Sequence, residues 1–452
     1  MQKLIIIGGG AAGYSAAIRA RQLNFQVVLI EKENLGGTCL NRGCIPTKTL
    51  LHSSDLFYQI RNSAEIELEN LNFNMQKMFE KKDKIVSKLN SGIKSLVNAN
   101  QIEHHNSLAK LKSSNSVELD DKSIIEGDKI ILATGAKPST IPIEGIELAL
   151  TSDDFLEKKF DKYQNIVIIG GGVIGIELAC FFSDLGCNVT VIEALDSILS
   201  VMGKDISKYI TMILRKKSVK FATKSSVKKI VKTEDGFETF YEQRQNENSV
   251  ISDIVINATG RSPLSIEGIE NTGVIFDKGF VVDENNRTPD ENIYAIGDCV
   301  KGNVQLAHYA AAEGMRIVEK LANKIVSPLK NVPSCIYTSP NAAIIGKSQA
   351  ECSFEIEVGR FNVASSGKSL SQGGQNGFIK VVFDKESQRI VGAEMVSGAA
   401  SELAGFISNL INIGATRKDI LSTVYPHPSY SEGFIEACQD SINCSIHTIY
   451  KK

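Results

Sequence analysis

The sequence predicts an α/β protein: two parallel-sheet domains built to one plan, then an α+β domain of different texture. Three observations predict it. A stretch of 31 residues recurs within the chain, each copy has a later partner strand ending in A-T-G, and the apolar periodicity changes after Val332. At 452 residues the chain is long enough for two to four domains, each with its own core.

The first copy is "KLIIIGGGAAGYSAAIRARQLNFQVVLIEKE" at 3–33, and the second is "NIVIIGGGVIGIELACFFSDLGCNVTVIEAL" at 165–195. Each reads as a buried strand, G-x-G-x-x-G, a helix, and a second β-rich run ending in an acid. Gly8, Gly10 and Gly13 lead to Glu31, and Gly170, Gly172 and Gly175 lead to Glu193; each glutamate stands 23 residues after its first glycine. One such glycine pattern is weak evidence. Between a strand and a helix, with an acid placed for a ribose 2′-hydroxyl, it predicts a dinucleotide site, with the pyrophosphate on the helix N-terminus. The bland alternative, a tight packing turn without ligand, loses ground because it would have to occur twice at one spacing. "KIILATGAKP", with Thr134 and Gly135, and "DIVINATGRSP", with Gly260, read as the closing strands of the two domains.

The opening run has the lysine, apolar stretch and small residues of a secretory leader, but the charged helix pattern that follows makes it a strand entering a turn. The later apolar run around Gly170 carries Glu177 and several glycines, so it makes a poor membrane span. Charge is balanced, 50 basic against 52 acidic residues, which implies no nucleic-acid surface. The nine cysteines show no framework spacing, as suits a reducing, cytoplasmic compartment.

Two of them stand close together in "GGTCLNRGCIPTK" at 36–48. On a regular helix Cys39 and Cys44 would lie about 8–9 Å apart, beyond the roughly 7 Å that a disulfide tolerates. Either the pair never bonds or the backbone departs from a helix, and Gly43 makes the departure easy. A structural zinc needs four ligands, and no second cysteine pair or spaced histidine follows, so no metal site is expected. Two unrelated buried thiols remain the bland reading.

Residues 52–100 carry helical patterning whose charges read as a solvated face, and His104 and His105 read as surface residues of a polar strand. After Val332, "GFIKVVFDKESQRIVGAEMV" reads as an antiparallel hairpin. "ASELAGFISNLINIG" and "SEGFIEACQDSINCSIHTIY" read as helices, the second holding Cys438 and Cys444 on different faces as packed thiols.

With the repeat, the cysteine pair, "NIYAIGDC" and "HPSYSE" in this order, the chain resembles the pyridine nucleotide–disulfide oxidoreductases along essentially its whole length. The resemblance implies FAD on the first domain, NAD on the second and an interface domain that forms a homodimer. It divides the chain into 1–150 (FAD-binding), 151–265 (NAD-binding), 266–332 (completing the FAD site) and 333–452 (interface). It implies that Glu31 holds the FAD ribose, Asp298 the ribityl chain, and the backbone around Leu306, Ala307 and His308 the flavin pyrimidine. Further cofactor contacts fall at Ala109, Thr134, Gly135, Val227 and Gly260. Lys48 matches a lysine near the flavin and Glu177 its ion-pair partner; a lysine taken out of water keeps its charge best beside an acid.

Cys39 and Cys44 become a redox disulfide, Cys39 meeting substrate and Cys44 nearer the flavin. His427 becomes the base that takes the thiol proton, oriented by Glu432. The implied substrates are lipoyl groups on carrier or acyltransferase proteins of a multienzyme complex. A glutathione-type reductase using NADPH is the rival within the fold, but "ALDSIL" after Glu193 offers no arginine for a 2′-phosphate. A non-catalytic flavoprotein scaffold would require one of the redox cysteines or His427 to be missing. Three departures from the family pattern stand out: Arg42 for a usual valine, Ala109 for a glycine, and "YPHPSYSE" for "AHPTLSE".

Overall fold

The computed structural model describes residues 1–67, 69–157, 163–374 and 376–448. The two sequence copies fold as two parallel sheets of one design. In the first, the strands run in the order Ile293–Ala295, Lys129–Leu132, Lys3–Ile7, Gln26–Glu31 and Glu103–Asn106. In the second, the order is Lys220–Ala222, Asn188–Ile192, Asn165–Ile169, Ile254–Asn257 and Leu150–Thr151. Registers correspond: Ile7 faces Ile30 and Leu132, and Ile169 faces Ile192 and Asn257.

The unbroken apolar runs follow from cover on both faces. Leu4, Ile5 and Ile6 are fully buried, each contributing about 1.5–3 kcal/mol. The A-T-G strands are not the outer ones, however. Ile293–Ala295 pairs outside Lys129–Leu132, and Leu150–Thr151 outside Ile254–Asn257. Beyond them, Ala136–Pro138 and Arg261–Pro263 pair antiparallel, a short ribbon joining the two halves.

Helices Cys44–Asn62 and Met75–Ala99 occupy the region read as helical. Most of its charges are solvated, but Asp55 is half-buried, and Lys82 is buried and donates to the Leu156 carbonyl at 2.5 Å. His104 and His105 lie half-buried in the edge strand of the first sheet, so they are not free surface residues.

The C-terminal part forms an antiparallel sheet in the order Ser334–Ile336, Asn341–Gly346, Ile390–Ser397, Phe378–Asp384, Ile356–Asn362. The expected hairpin is its centre, and helices Ala400–Asn412 and Ser431–Asp440 pack on it. The last helix is shorter than expected. Cys438 is buried within it, but Cys444 lies past its end and is exposed, because the chain turns back to place Ser445 and His447 on Glu436. Residues 449 and 450 of that reading fall outside the described residues. Among the described residues, no helix is long and apolar enough to cross a membrane.

Candidate active site

The glycines of the two turns divide into two kinds. A Cβ on Gly8 would lie 2.1 Å from the Ala133 carbonyl oxygen, and one on Gly13 would lie 1.8 Å from that of Gly8. Gly170 and Gly175 repeat this against Ala258 and Gly170. Packing explains those four positions. It does not explain the middle glycines: a Cβ on Gly10 would touch only Gly37 at 3.7 Å, and one on Gly172 would meet open space.

Gly10 and Gly172 open the helices Ala11–Gln22 and Val173–Asp184, and Leu306 opens Ala307–Leu321; no side chain caps any of the three. Their first N–H groups are therefore left for a ligand.

The two glutamates also correspond. Glu31 accepts from the N–H groups of Gly9 and Glu33 at 2.6 and 2.8 Å, and Glu193 from those of Gly171 and Leu195 at 2.5 and 2.7 Å. Each carboxylate keeps lone pairs for a ribose hydroxyl. Burial raises the Glu31 pKa, against the Gly9 hydrogen bond and the charges of Lys32, His104 and Arg42.

One cleft of about 1940 Å³ connects these features. Gly8, Gly10, Glu31, Ala109, Thr134, Gly135, Asp298, Ala307, Gly170, Gly172, Glu193 and Gly260 all line it. Ala109 begins an ordinary strand, so that position needs no glycine conformation. Gly13 and Gly175 lie beneath the turns, while Val227 is buried in the core under the second sheet, away from the cleft lining.

Cys39, Cys44 and Lys48 line the same cleft between the two turns. Cys39 sits in helix Gly37–Arg42 and Cys44 starts the next, broken apart at Gly43. A Cβ on Gly43 would stand 2.9 Å from the Thr38 carbonyl oxygen and 3.1 Å from the Cys39 Cα, so this close turn needs glycine. The two cysteines are not joined here, and the Cys39 thiol is placed to donate a hydrogen bond to Cys44. That bond, helped by the Lys48 charge and opposed by burial, lowers the Cys44 pKa to about 7. The same bond, with burial, pushes the Cys39 thiol up.

Lys48 Nζ reaches both Glu177 oxygens at 2.8 and 2.7 Å and lies 4.7 Å from the Tyr337 ring centroid. Glu177 is 3 % exposed and also accepts the Tyr337 N–H at 3.0 Å.

Sequence reasoning missed Arg261 and the partners of Arg42. Arg261 donates to Asp153, to the Ala136 carbonyl and weakly to Thr38 at 3.4 Å, tying the joining ribbon to the cysteine helix. Arg42 pairs with Glu33 and, at 3.5 Å, with Glu157, so its charge is neutralised away from the thiols. No spacing rule points to either.

His427 Nδ1 lies 2.7 Å from Glu432 Oε1, and its side chain is 79 % exposed. Neither residue lines the cleft of its own chain. Among the described residues, no group of three or more acidic, histidine or cysteine side chains could hold a metal ion.

A thiol pair between two dinucleotide turns defines a nucleotide-dependent disulfide oxidoreductase. The chain belongs to the pyridine nucleotide–disulphide oxidoreductase family, whose model matches residues 2–314, with the family's dimerisation domain at 332–438. It is 34 % identical over 472 residues to a dihydrolipoyl dehydrogenase of Bacillus subtilis (strain 168), covering 98 % of both chains. One from Haloferax volcanii is also 34 % identical, with 99 % of this chain and 98 % of the other covered.

Among solved structures, the HOCl-induced flavoprotein disulfide reductase RclA from Escherichia coli is similar with a TM-score of 0.87 and 25 % identity, over 97 % of this chain and 99 % of that one. LpdA from Mycobacterium tuberculosis, 22 % identical, shares the fold with a TM-score of 0.88, over 97 % and 99 % of the two chains. The cofactors are FAD and NAD, and the open middle glycines and three uncapped helix starts fit two dinucleotides. The dimerisation domain makes the protein a homodimer.

Proposed function

We propose that the protein reoxidises dihydrolipoyl groups carried on acyltransferase or carrier proteins of a multienzyme complex in the cytoplasm, passing electrons to NAD⁺. The observation that carries this reading is the placing of Cys39, Cys44 and Lys48 in one cleft between two uncapped dinucleotide turns. The dihydrolipoyl dehydrogenases that resemble the chain over nearly its whole length support the substrate. Residues 1–150 and 266–332 together hold FAD, residues 151–265 hold NAD, and residues 333–452 form the interface.

In the oxidised enzyme Cys39 and Cys44 are joined. A substrate thiol gives its proton to His427, whose Nδ1 is held by Glu432, and the thiolate attacks Cys39. Cys44 leaves as a thiolate, the form its hydrogen bond and Lys48 favour. The second substrate thiol then attacks the mixed disulfide, releasing lipoyl disulfide and the reduced cysteine pair. FAD bound in this cleft would supply the two-electron chemistry that links the cysteine pair to NAD⁺; Glu31 and Glu193 would hold the riboses, and Asp298 and the Ala307 helix start the flavin. His427 serves the partner's cleft, which its exposure and its place in the dimerisation domain support.

The test is NADH formation with dihydrolipoamide, set against glutathione disulfide reduction with NADPH. Turnover of the first pair alone is expected. Turnover of the second pair alone would replace this reading with the reductase one.

A further inference from the structure

Behind the Asp298 turn lies a carboxylate that the mechanism above does not use. Glu313 is on helix Ala307–Leu321, 3 % exposed, with no lysine or arginine among its hydrogen-bond partners in the described residues. It is held by donors instead. Its Oε2 accepts the Gly297 N–H at 2.6 Å and Asn303 Nδ2 at 3.0 Å, while Oε1 accepts Asn286 Nδ2 at 2.9 Å and Asn303 at 3.3 Å.

Gly297 has φ +73°, and a Cβ there would press on Ala12 and Ala310 at 3.3 Å. The turn carrying Asp298 into the cleft is thus a left-handed bend pinned at its first N–H. Asn303 closes the other side, donating to the Gly297 carbonyl at 3.1 Å and itself lining the cleft.

We infer that Glu313 is a positioning residue for FAD, acting through Gly297, Asn303 and Asp298 to hold the flavin-binding turn in its ligand-ready form. A buried anion surrounded only by neutral donors is stable only when every donor is aimed at it. Glutamine could not replace it by turning neighbouring amides. Asn286 and Asn303 are fixed by second bonds, to the Ala295 carbonyl at 3.4 Å and the Gly297 carbonyl. A glutamine amide would therefore face donors and leave at least one unpaired. Burial raises the Asp298 pKa, with Glu313 adding to the rise and the Arg261 charge opposing it, so the two acids already sense each other.

The inference rests on FAD occupying this cleft, and the experiment separates the two claims. Flavin release from the purified dimer is followed by the rise of flavin fluorescence on dilution, with the melting temperature of the flavin-stripped protein measured alongside. The wild type should retain FAD, and E313Q should release it about ten- to hundredfold faster, with a fall in flavin-free melting temperature too small to account for that release. N303A, which removes one donor without altering charge, should lie between them and carries the test if E313Q does not fold. Wild-type protein with no affinity for FAD would overturn the cofactor reading. Wild-type retention in both variants would overturn the role of Glu313, and so would a fall in the flavin-free melting temperature that alone accounts for faster release.

Discussion

Lys48 and Glu177, 129 residues apart, form a two-pronged ion pair at 2.8 and 2.7 Å that ties helix Cys44–Asn62 to helix Val173–Asp184 of the second domain. Because Glu177 also accepts the Tyr337 N–H, the C-terminal part meets them at the same point. E177Q keeps the shape and leaves the lysine without its counter-charge. Turnover of dihydrolipoamide should fall about tenfold, equivalent to ~1.4 kcal/mol, with KM for NAD⁺ less affected. Steady-state kinetics at saturating NAD⁺ measure this, and an unchanged kcat would show that the charge pair is not used in turnover.

The reduced enzyme should show a long-wavelength thiolate–flavin band belonging to Cys44. Its pKa is lowered to about 7, chiefly by the Cys39 hydrogen bond. The thiolate is therefore present above that pH and is lost as pH falls through it. C39S should keep the band, since serine still donates, and C44S should lose it. Anaerobic spectra across pH 5–9 (roughly two units either side) decide the point; the reverse pattern would exchange the roles.

With Glu193 on the ribose as proposed, its carboxylate would stand against the 2′-phosphate of NADP⁺, and the following Leu195, Asp196 and Ser197 supply no cation. NAD⁺ should be preferred in kcat/KM by at least about tenfold. Equal values for the two nucleotides would remove Glu193 from the ribose site.

Mixing inactive C39S chains with inactive H427Q chains should restore activity if each cleft takes its base from the other chain. Random exchange makes about half the dimers mixed, each with one intact site, so about a quarter of wild-type activity should return. Adding E432A to the C39S chain should remove the gain, because that chain supplies the surviving base. No recovery after verified subunit exchange would mean that the base acts within its own chain.

Much of this was legible because the repeat has local causes. Gly8, whose φ is +108°, and Gly13, which abuts the Gly8 carbonyl, are both required within one strand–turn–helix unit, so their spacing announces the unit. The hairpin at Phe378–Ser397 was equally local. Arg261 and Glu313 were illegible for the opposite reason: their partners Thr38 and Asn286 lie 223 and 27 residues away, and only the folded chain brings them together. The last helix was overextended for want of a stop signal, since the bonds of Ser445 and His447 to Glu436 that turn the chain back lie beyond its end.

The outer strand Ile293–Ala295 has an implication for how the molecule is made. Its neighbours in the first sheet end at Leu132, and the whole second sheet lies between them in the chain. A ribosome extending the chain therefore exposes the bare edge of Lys129–Leu132 while about 160 further residues are synthesised, several seconds or more at cellular rates. During that time the second sheet, which has every strand it needs by Asn257, can fold first. The N-terminal half would then be the later of the two to mature, and flavin capture would follow the emergence of helix Ala307–Leu321.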